Sequence, residues 1–346
     1  MTWLLNVLVG LVLFIGGLDA LTTTMTTQLH KRCCPTFLKA TSSSDLVPST
    51  PPKVTPKVSA PEGWSPPTPK PLSTSKTQIP SLLTGSLSLA LRLGSAVTVA
   101  GWSPKVGLSD PNVDEYSLKL GPLFLSDQSS LSPSVERGIK TPLILYEYEP
   151  SPFCKKVREI LCFLDIPCEF RPCPRQKGFS DELFERTGRR TVPYLRDPNN
   201  EDPDYGMFES EDIIDYLLTR YGEGAEPNFS QRGNFATVTA GLSSVARGLA
   251  GGTLDKTARI DNNLMAPITL FGYEASPFVK PVREALCELG LAHVLIPCAR
   301  GSSNRKVQME LTGRQFQVPF IVDPNTQVEC FESNEIVKFL KEVYTI

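Results

Sequence analysis

The sequence predicts an α/β protein made of two tandem βαβαββα modules. The main observation is a long internal repeat: SPFCKKVREILCFLDIPCEFRPCPR, starting at Ser151, returns as SPFVKPVREALCELGLAHVLIPCAR, starting at Ser276, an offset of 125 residues. The correspondence extends further, because Thr187-Gly188-Arg189 is answered by Thr312-Gly313-Arg314, Val192-Pro193 by Val318-Pro319, and Phe208-Glu209-Ser210 by Phe331-Glu332-Ser333. A period this long means tandem domains rather than a solenoid of short repeats. The third observation is that hydrophobic periodicity switches between strand and helix at the same places in both copies.

Each element follows from that pattern. Leu143 to Tyr148 and Ile268 to Tyr273 are short apolar runs suited to buried strands, each followed by Ser-Pro and a helix. Val157, Ile160, Leu161 and Leu164 form one helical stripe, and Val282, Ala285, Leu286 and Leu289 form its counterpart. Cys168 to Arg171 and His293 to Ile296 read as second strands, parallel to the first through a right-handed crossover. A second helix, Asp181 to Arg186 or Lys306 to Leu311, closes at a glycine before the strands TVPYLRD and QVPFIVD. A fourth strand holding FES and a last amphipathic helix complete each copy. The expected boundaries are 141–222 for the first module, 223–266 for a linker with a helix, and 267–346 for the second. Leu82 to Val99 and Phe235 to Leu249 are expected to be packing helices that cover the module after them, the first within an 81–140 helix-plus-connector segment.

Composition narrows the function. A net charge of -2 with no long run of one sign gives no nucleic-acid footprint. Nine cysteines, an odd number without dense spacing, argue for thiols rather than a disulfide framework. Without a CxxC pair, and with only His30 and His293 to supply imidazole, the expectation is no metal.

The N-terminus is a separate unit. Residues 3 to 18, WLLNVLVGLVLFIGGL, have signal-peptide length, and 1–20 is expected to be a signal peptide or anchor, with membrane contact only if it stays uncleaved. Residues 21–80 are rich in Ser, Thr and Pro, with Asp45 and Glu62 the only acids, a composition that cannot build a core and reads as a disordered, transit-like linker. The pair resembles the bipartite presequences that route proteins into plastids of algae with secondary endosymbiosis, and Leu21 after Ala20 suits that cleavage. Secretion or membrane anchoring is the alternative. An uncleaved, membrane-spanning mature protein would exclude the presequence.

The order βαβαββα, with Ser-Pro-Phe at the tip of the first strand, Val-Pro opening the third and Glu-Ser after the fourth, resembles the thioredoxin fold in its glutaredoxin and glutathione S-transferase N-terminal form. The tandem looks like the plastid two-module proteins of plants and algae. The resemblance implies a mixed four-stranded sheet flanked by helices and glutathione as ligand or co-substrate. It implies that Pro193 and Pro319 are cis, that Val192 and Val318 pair with the cysteinyl backbone of glutathione, that Phe153 and Phe278 border the ligand, and that Glu209-Ser210 and Glu332-Ser333 hold its γ-glutamyl end. As helix caps alone, Ser210 and Ser333 would look the same in sequence.

The catalytic position departs from redox glutaredoxins, whose nucleophile is the first residue of C-P-x-C. Here Ser151 and Ser276 stand first, and Cys154 takes the second cysteine position, where the other copy has Val279. A dithiol–disulfide cycle is therefore absent, and an iron–sulfur cluster lacks its first-position cysteine. Serine-type glutathione transferases use a hydroxyl there to stabilise the glutathione thiolate. Ser151 and Ser276 are the candidates for that role, with Cys154 an accessory thiol. Those transferases add an all-helical domain, and no helical block long enough follows either copy. Two readings stay open: a glutathione-dependent transferase or thiol oxidoreductase acting on an unidentified electrophile or thiol, and a non-catalytic scaffold that binds a protein partner. Cys162 and Cys287 read as packed residues, and Cys173 and Cys298 as positions open to exposure.

Overall fold

The computed structural model describes residues 58–69, 78–108, 117–120 and 123–346. The apolar run 3–18, the Ala20–Leu21 junction and most of the 21–80 tract lie outside the described residues. Within that tract, however, residues 58–69 pack on the second module: Val58 is buried and the Trp64 ring meets Phe339 at 4.8 Å.

Helix α1 (Ile79–Leu91) opens the described fold and is followed by a three-stranded antiparallel sheet, β1 (Trp102–Gly107), β2 (Ser117–Leu120) and β3 (Leu123–Ser129), in the order β1-β3-β2. This sheet lies in the segment expected to be a helix plus connector, 81–140.

The first module then runs β4 (Leu143–Glu147), α2 (Pro152–Phe163), β5 (Cys168–Pro172), α3 (Ser180–Thr187), β6 (Tyr194–Arg196), β7 (Gly206–Phe208) and α4 (Ser210–Tyr221). Helix α5 (Gly233–Ala246) links it to the second, β8 (Ile268–Gly272), α6 (Lys280–Glu288), β9 (His293–Pro297), α7 (Asn304–Thr312), β10 (Phe320–Asp323), β11 (Val328–Phe331) and α8 (Ser333–Tyr344). Both are the thioredoxin-like βαβαββα fold. Strand pairs β4–β5 and β8–β9 are parallel, and the remaining pairs within each module are antiparallel. All five residues of β4 are buried, as a central strand covered on both faces requires.

The repeated Asp-Pro-Asn is a clamp. Asn199 Oδ1 accepts from the Thr141 amide while its Nδ2 donates to the Thr141 carbonyl, and Asn325 does the same to Ala266. Each pins the β6–β7 or β10–β11 turn to the start of its own module. Asp197 and Asp323 accept from Tyr221 and Tyr344 at the ends of α4 and α8.

The two sheets join into one of eight strands, β11-β10-β8-β9-β5-β4-β6-β7. At the join, β5 and β9 pair antiparallel with Glu169 opposite Val294, and Phe170 opposite His293, whose rings stack at 5.4 Å. Because Glu169 and Val294 are repeat equivalents, the register is that of an internal pseudo-two-fold axis. It also consumes one edge of each module, removing two strand edges from solvent.

Beneath this seam lies a buried, reciprocal ion network. Arg158 of α2 reaches Glu274 of the second module at 3.1 Å, and Arg283 of α6 reaches Glu149 of the first at 2.6 Å. Arg158 also pairs with Glu147, Arg283 with Glu274, and Lys155 Nζ donates to Glu274 at 3.0 Å. Burial acts to raise the Glu149 carboxyl, yet Arg158 and Arg283 hold it down to about 2.

Helices α1 and α5 lie antiparallel across the seam. Arg92 after α1 donates to the Ala236 carbonyl of α5 and binds Glu159 of the first module; Arg247 after α5 donates to the Ser81 carbonyl of α1 and binds Glu284 of the second. Each helix thus bridges both modules, which corrects the expectation that each covers only the module after it.

Arg158→Met leaves Glu147 and Glu274 short of a buried partner, and is expected to cost about 3–5 kcal/mol in denaturant unfolding. A loss below about 1 kcal/mol would contradict a closed network.

Candidate functional site

The two Ser-Pro-Phe tips sit where the first strand of each module hands over to its helix. Ser151 has the extended backbone of an N-cap, and its Oγ accepts from the Cys154 amide at 3.3 Å; Ser276 Oγ accepts from the Val279 amide at the same distance. Pro152 follows as the first helical residue, where its missing N–H costs nothing. Both serines are buried, Ser151 at 3% exposure and Ser276 at 1%. The Ser151 hydroxyl caps α2, whereas Ser276 lies in a turn four residues before α6, and any thiolate held at Ser151 would share the amides at the positive end of α2.

Cys154 is fully buried, and burial followed by the neighbouring Glu147 charge pushes its thiol up to about 12. The second copy replaces this pair as a unit. Gly272 stands where the first module has Glu147, and a Cβ there would come within 2.8 Å of Val279 Cγ1. The extra bulk of Val279 therefore occupies space that Glu147 and Cys154 share in the first module. Cys173 and Cys298, expected to be open to exposure, are buried as well, and burial raises both thiols. All seven described cysteines are free and buried.

Across from each tip, the Val192–Pro193 and Val318–Pro319 peptides are cis. Glu209 and Glu332 occupy the left-handed region at φ 67° and 70°, an arrangement that costs a non-glycine residue on the order of 1–3 kcal/mol. Ser210 and Ser333 begin α4 and α8 immediately after them. The cis proline and the Glu-Ser corner thus have the same backbone geometry in both copies, while the tips differ, α2 starting at Pro152 and α6 only at Lys280.

The side chains around the two corners differ. In the second module Gln317 Nε2 donates to Glu332 Oε1 at 2.6 Å, and Gln78 Nε2 approaches Ser333 Oγ at 3.5 Å. Helix α1 also lies directly on the second tip: a Cβ on Gly85 would come 2.9 Å from Pro277 Cβ, so only glycine allows this approach. Pro277 is buried and Phe278 half-buried.

In the first module α5 packs along α2 and the segment after it lies against Pro150, but the two glutamine contacts have no counterpart among the described residues. Glu209 is exposed and has no side-chain partner among the described residues, and Phe153 is 49% exposed with Lys156 Nζ 5.8 Å from its ring centre. The place of Gln78 is taken by Gly233, which precedes Ser243 as Gln78 precedes Ser88, and Ser88 and Ser243 meet across the helix pair. The Gly233 amide donates to Glu211 at 3.1 Å, and a Cβ at Gly233 would meet nothing within 4 Å. Thr191, in the place of Gln317 before the cis proline, is exposed.

Sequence reasoning missed Gln78 and Gln317. Gln317 belongs to a one-residue lengthening of the loop before Val318, TGRQFQVP against TGRRTVP, which is a readable signal; Gln78 reaches Ser333 only through the swapped path of α1. A larger cleft of about 390 Å³ lies elsewhere, between β3, the turn at Asp165 and the start of α7, and holds none of these residues. Among the described residues, no group of three or more His, Cys, Asp and Glu could hold a metal ion, and no helix is long and apolar enough to cross a membrane.

The fold and its paired corners define a tandem of thioredoxin-like domains. Residues 145–226 and 270–345 both match the family model of the glutathione S-transferase N-terminal domain, which covers the two modules and leaves α1, the β1–β3 sheet and α5 outside. No curated protein and no solved structure matches the chain.

Alkylation of the native chain with iodoacetamide at pH 8, mapped by mass spectrometry, is expected to modify Cys154 at less than about a tenth of its rate after denaturation. Equal rates would contradict its burial.

Proposed function

We propose that the chain is a glutathione-binding protein in which the first module takes the ligand and the second serves as its structural partner. The observation that carries this reading is the contrast at the two corners: Glu209 is exposed and neither it nor the buried Ser210 has a side-chain partner among the described residues, whereas Glu332 and Ser333 are engaged by Gln317 and Gln78. At the first corner, the Ser210 hydroxyl and the amides starting α4 would receive the γ-glutamyl carboxylate. Glu209 would meet its ammonium, and the Val192 backbone would pair with the cysteinyl unit beside the cis proline.

The chemistry would then belong to glutathione. With all seven described cysteines buried and the Cys154 thiol raised, the described residues offer no ready thiolate of their own. In a transferase, the bound thiolate near Ser151 and the start of α2 would attack an electrophile, forming a carbon–sulfur bond as the leaving group departs. A second reading, a non-catalytic scaffold, is favoured by one specific observation: Ser151 is buried and spends its hydroxyl on the Cys154 amide. Turnover of a chloronitrobenzene with glutathione that vanishes in Ser151→Ala would decide for the transferase.

Calorimetric titration of the full chain with reduced glutathione is expected to give one site per chain, lost in Ser210→Ala and unchanged in Ser333→Ala. Two equal sites, or loss in Ser333→Ala alone, would overturn the assignment to the first module. No binding at millimolar glutathione would overturn the glutathione reading itself.

A further inference from the structure

Helices α1 and α5 are amphipathic in the reverse sense. Their inward faces carry mostly small residues, Gly85, Ser86 and Ser88 on α1 and Ala236, Thr239, Ala240, Ser243 and Ser244 on α5. Their large apolar side chains point to solvent. On α5 these are Phe235, Val238, Leu242 and Val245, between 48% and 64% exposed. Their spacing of three, four and three residues is the a/d seam of a helix that packs knobs into holes on another helix. On α1, Ile79, Leu83 and Leu87 lie one turn apart along the outer face, between 41% and 47% exposed. A helix whose only task is to cover a module would turn these side chains inward.

The outward stripe is large. Seven side chains at 41% to 64% exposure on two adjoining helices make a patch of several hundred Å², at the upper end for a monomer and approaching the ~800 Å² each partner contributes to a standard interface. Neither Ile79–Leu91 nor Gly233–Ala246 contains a charged residue, so the face lacks the basic rim that draws an amphipathic helix onto anionic lipid. Because α1 and α5 run antiparallel about the pseudo-two-fold axis, Val238 and Leu242 of one helix hold places equivalent to Leu83 and Leu87 of the other. The face is therefore nearly the same viewed from either end, and an uncharged apolar face of this kind meets no like-charge repulsion when the same patch of a second copy is laid on it, as an isologous contact requires.

We propose that this α1–α5 face is the interface of a homodimer, in which the helix pairs of two chains pack as a four-helix layer. The expected occupant is the same face of a second copy, with the α5 seams at the centre. Both first-module corners stay outside the layer and remain open to ligand.

Sedimentation equilibrium of the full chain at micromolar concentration tests this. Wild type is expected to be a dimer, and Val238→Glu/Leu242→Glu a folded monomer with unchanged far-UV circular dichroism at about 25 °C, its dimer dissociation constant raised at least about 100-fold. A second variant, Leu11→Glu/Leu13→Glu, is expected to stay dimeric. A monomeric wild type overturns the proposal, as does a dimer that survives the α5 charges. Dissociation caused by the N-terminal charges instead would assign the face to residues 3–18. Wild-type flotation with phosphatidylcholine vesicles, lost on adding the α5 charges, would assign it to lipid. Should the α5 variant fail to fold, hydrogen exchange of wild type decides. Protection of α5 that rises with protein concentration supports the dimer, and constant protection contradicts it.

Discussion

The crossed ion pairs at the seam, Arg158 to Glu274 and Arg283 to Glu149, are the constraint on which the rest depends. Each links the helix of one module to the strand end of the other, so the buried charges that Glu147, Glu149 and Glu274 share with the arginines within each module are completed only across the seam. Desolvating so many charges is expensive, and apolar replacements of similar shape would stabilise as well. What the network supplies is register. The pairs close only when β5 and β9 meet with Glu169 opposite Val294, which places the two tips about a common axis.

That geometry explains the crossing of α1 and α5. Once the tips lie side by side, one helix can span both, and Arg92 and Arg247 fasten each helix at its far end to Glu159 and Glu284. The crossing then makes two equivalent sites unequal. The α1 end that reaches the second corner carries Gln78, and the α5 end that reaches the first carries Gly233. A duplication that began with two copies of one corner thus leaves one uncovered and uses the other for packing.

Much of this was legible in the sequence because the repeat doubled every signal. The order of elements, the two cis prolines and the Glu-Ser corners follow from motifs local to each copy. The β1–β3 sheet was not legible, since short strands before a Gly-Pro turn look like connector. Nor were the seam partners: nothing local in the sequence separates Glu149, Lys155, Arg158, Glu274 and Arg283 from surface charges, and only the pairing of two distant strands buries them. The helix stripes misled for the same reason. Apolar residues at helical spacing normally mark an inward face, whereas here the small residues pack and the large ones remain outside.

The claim that one corner is open and the other filled is tested most directly by hydrogen exchange of the full chain with and without saturating reduced glutathione. The account predicts slowed exchange at residues 192–194 and 209–213 and no change at 318–320 and 332–336. Equal slowing in both sets, or slowing confined to the second, would contradict it.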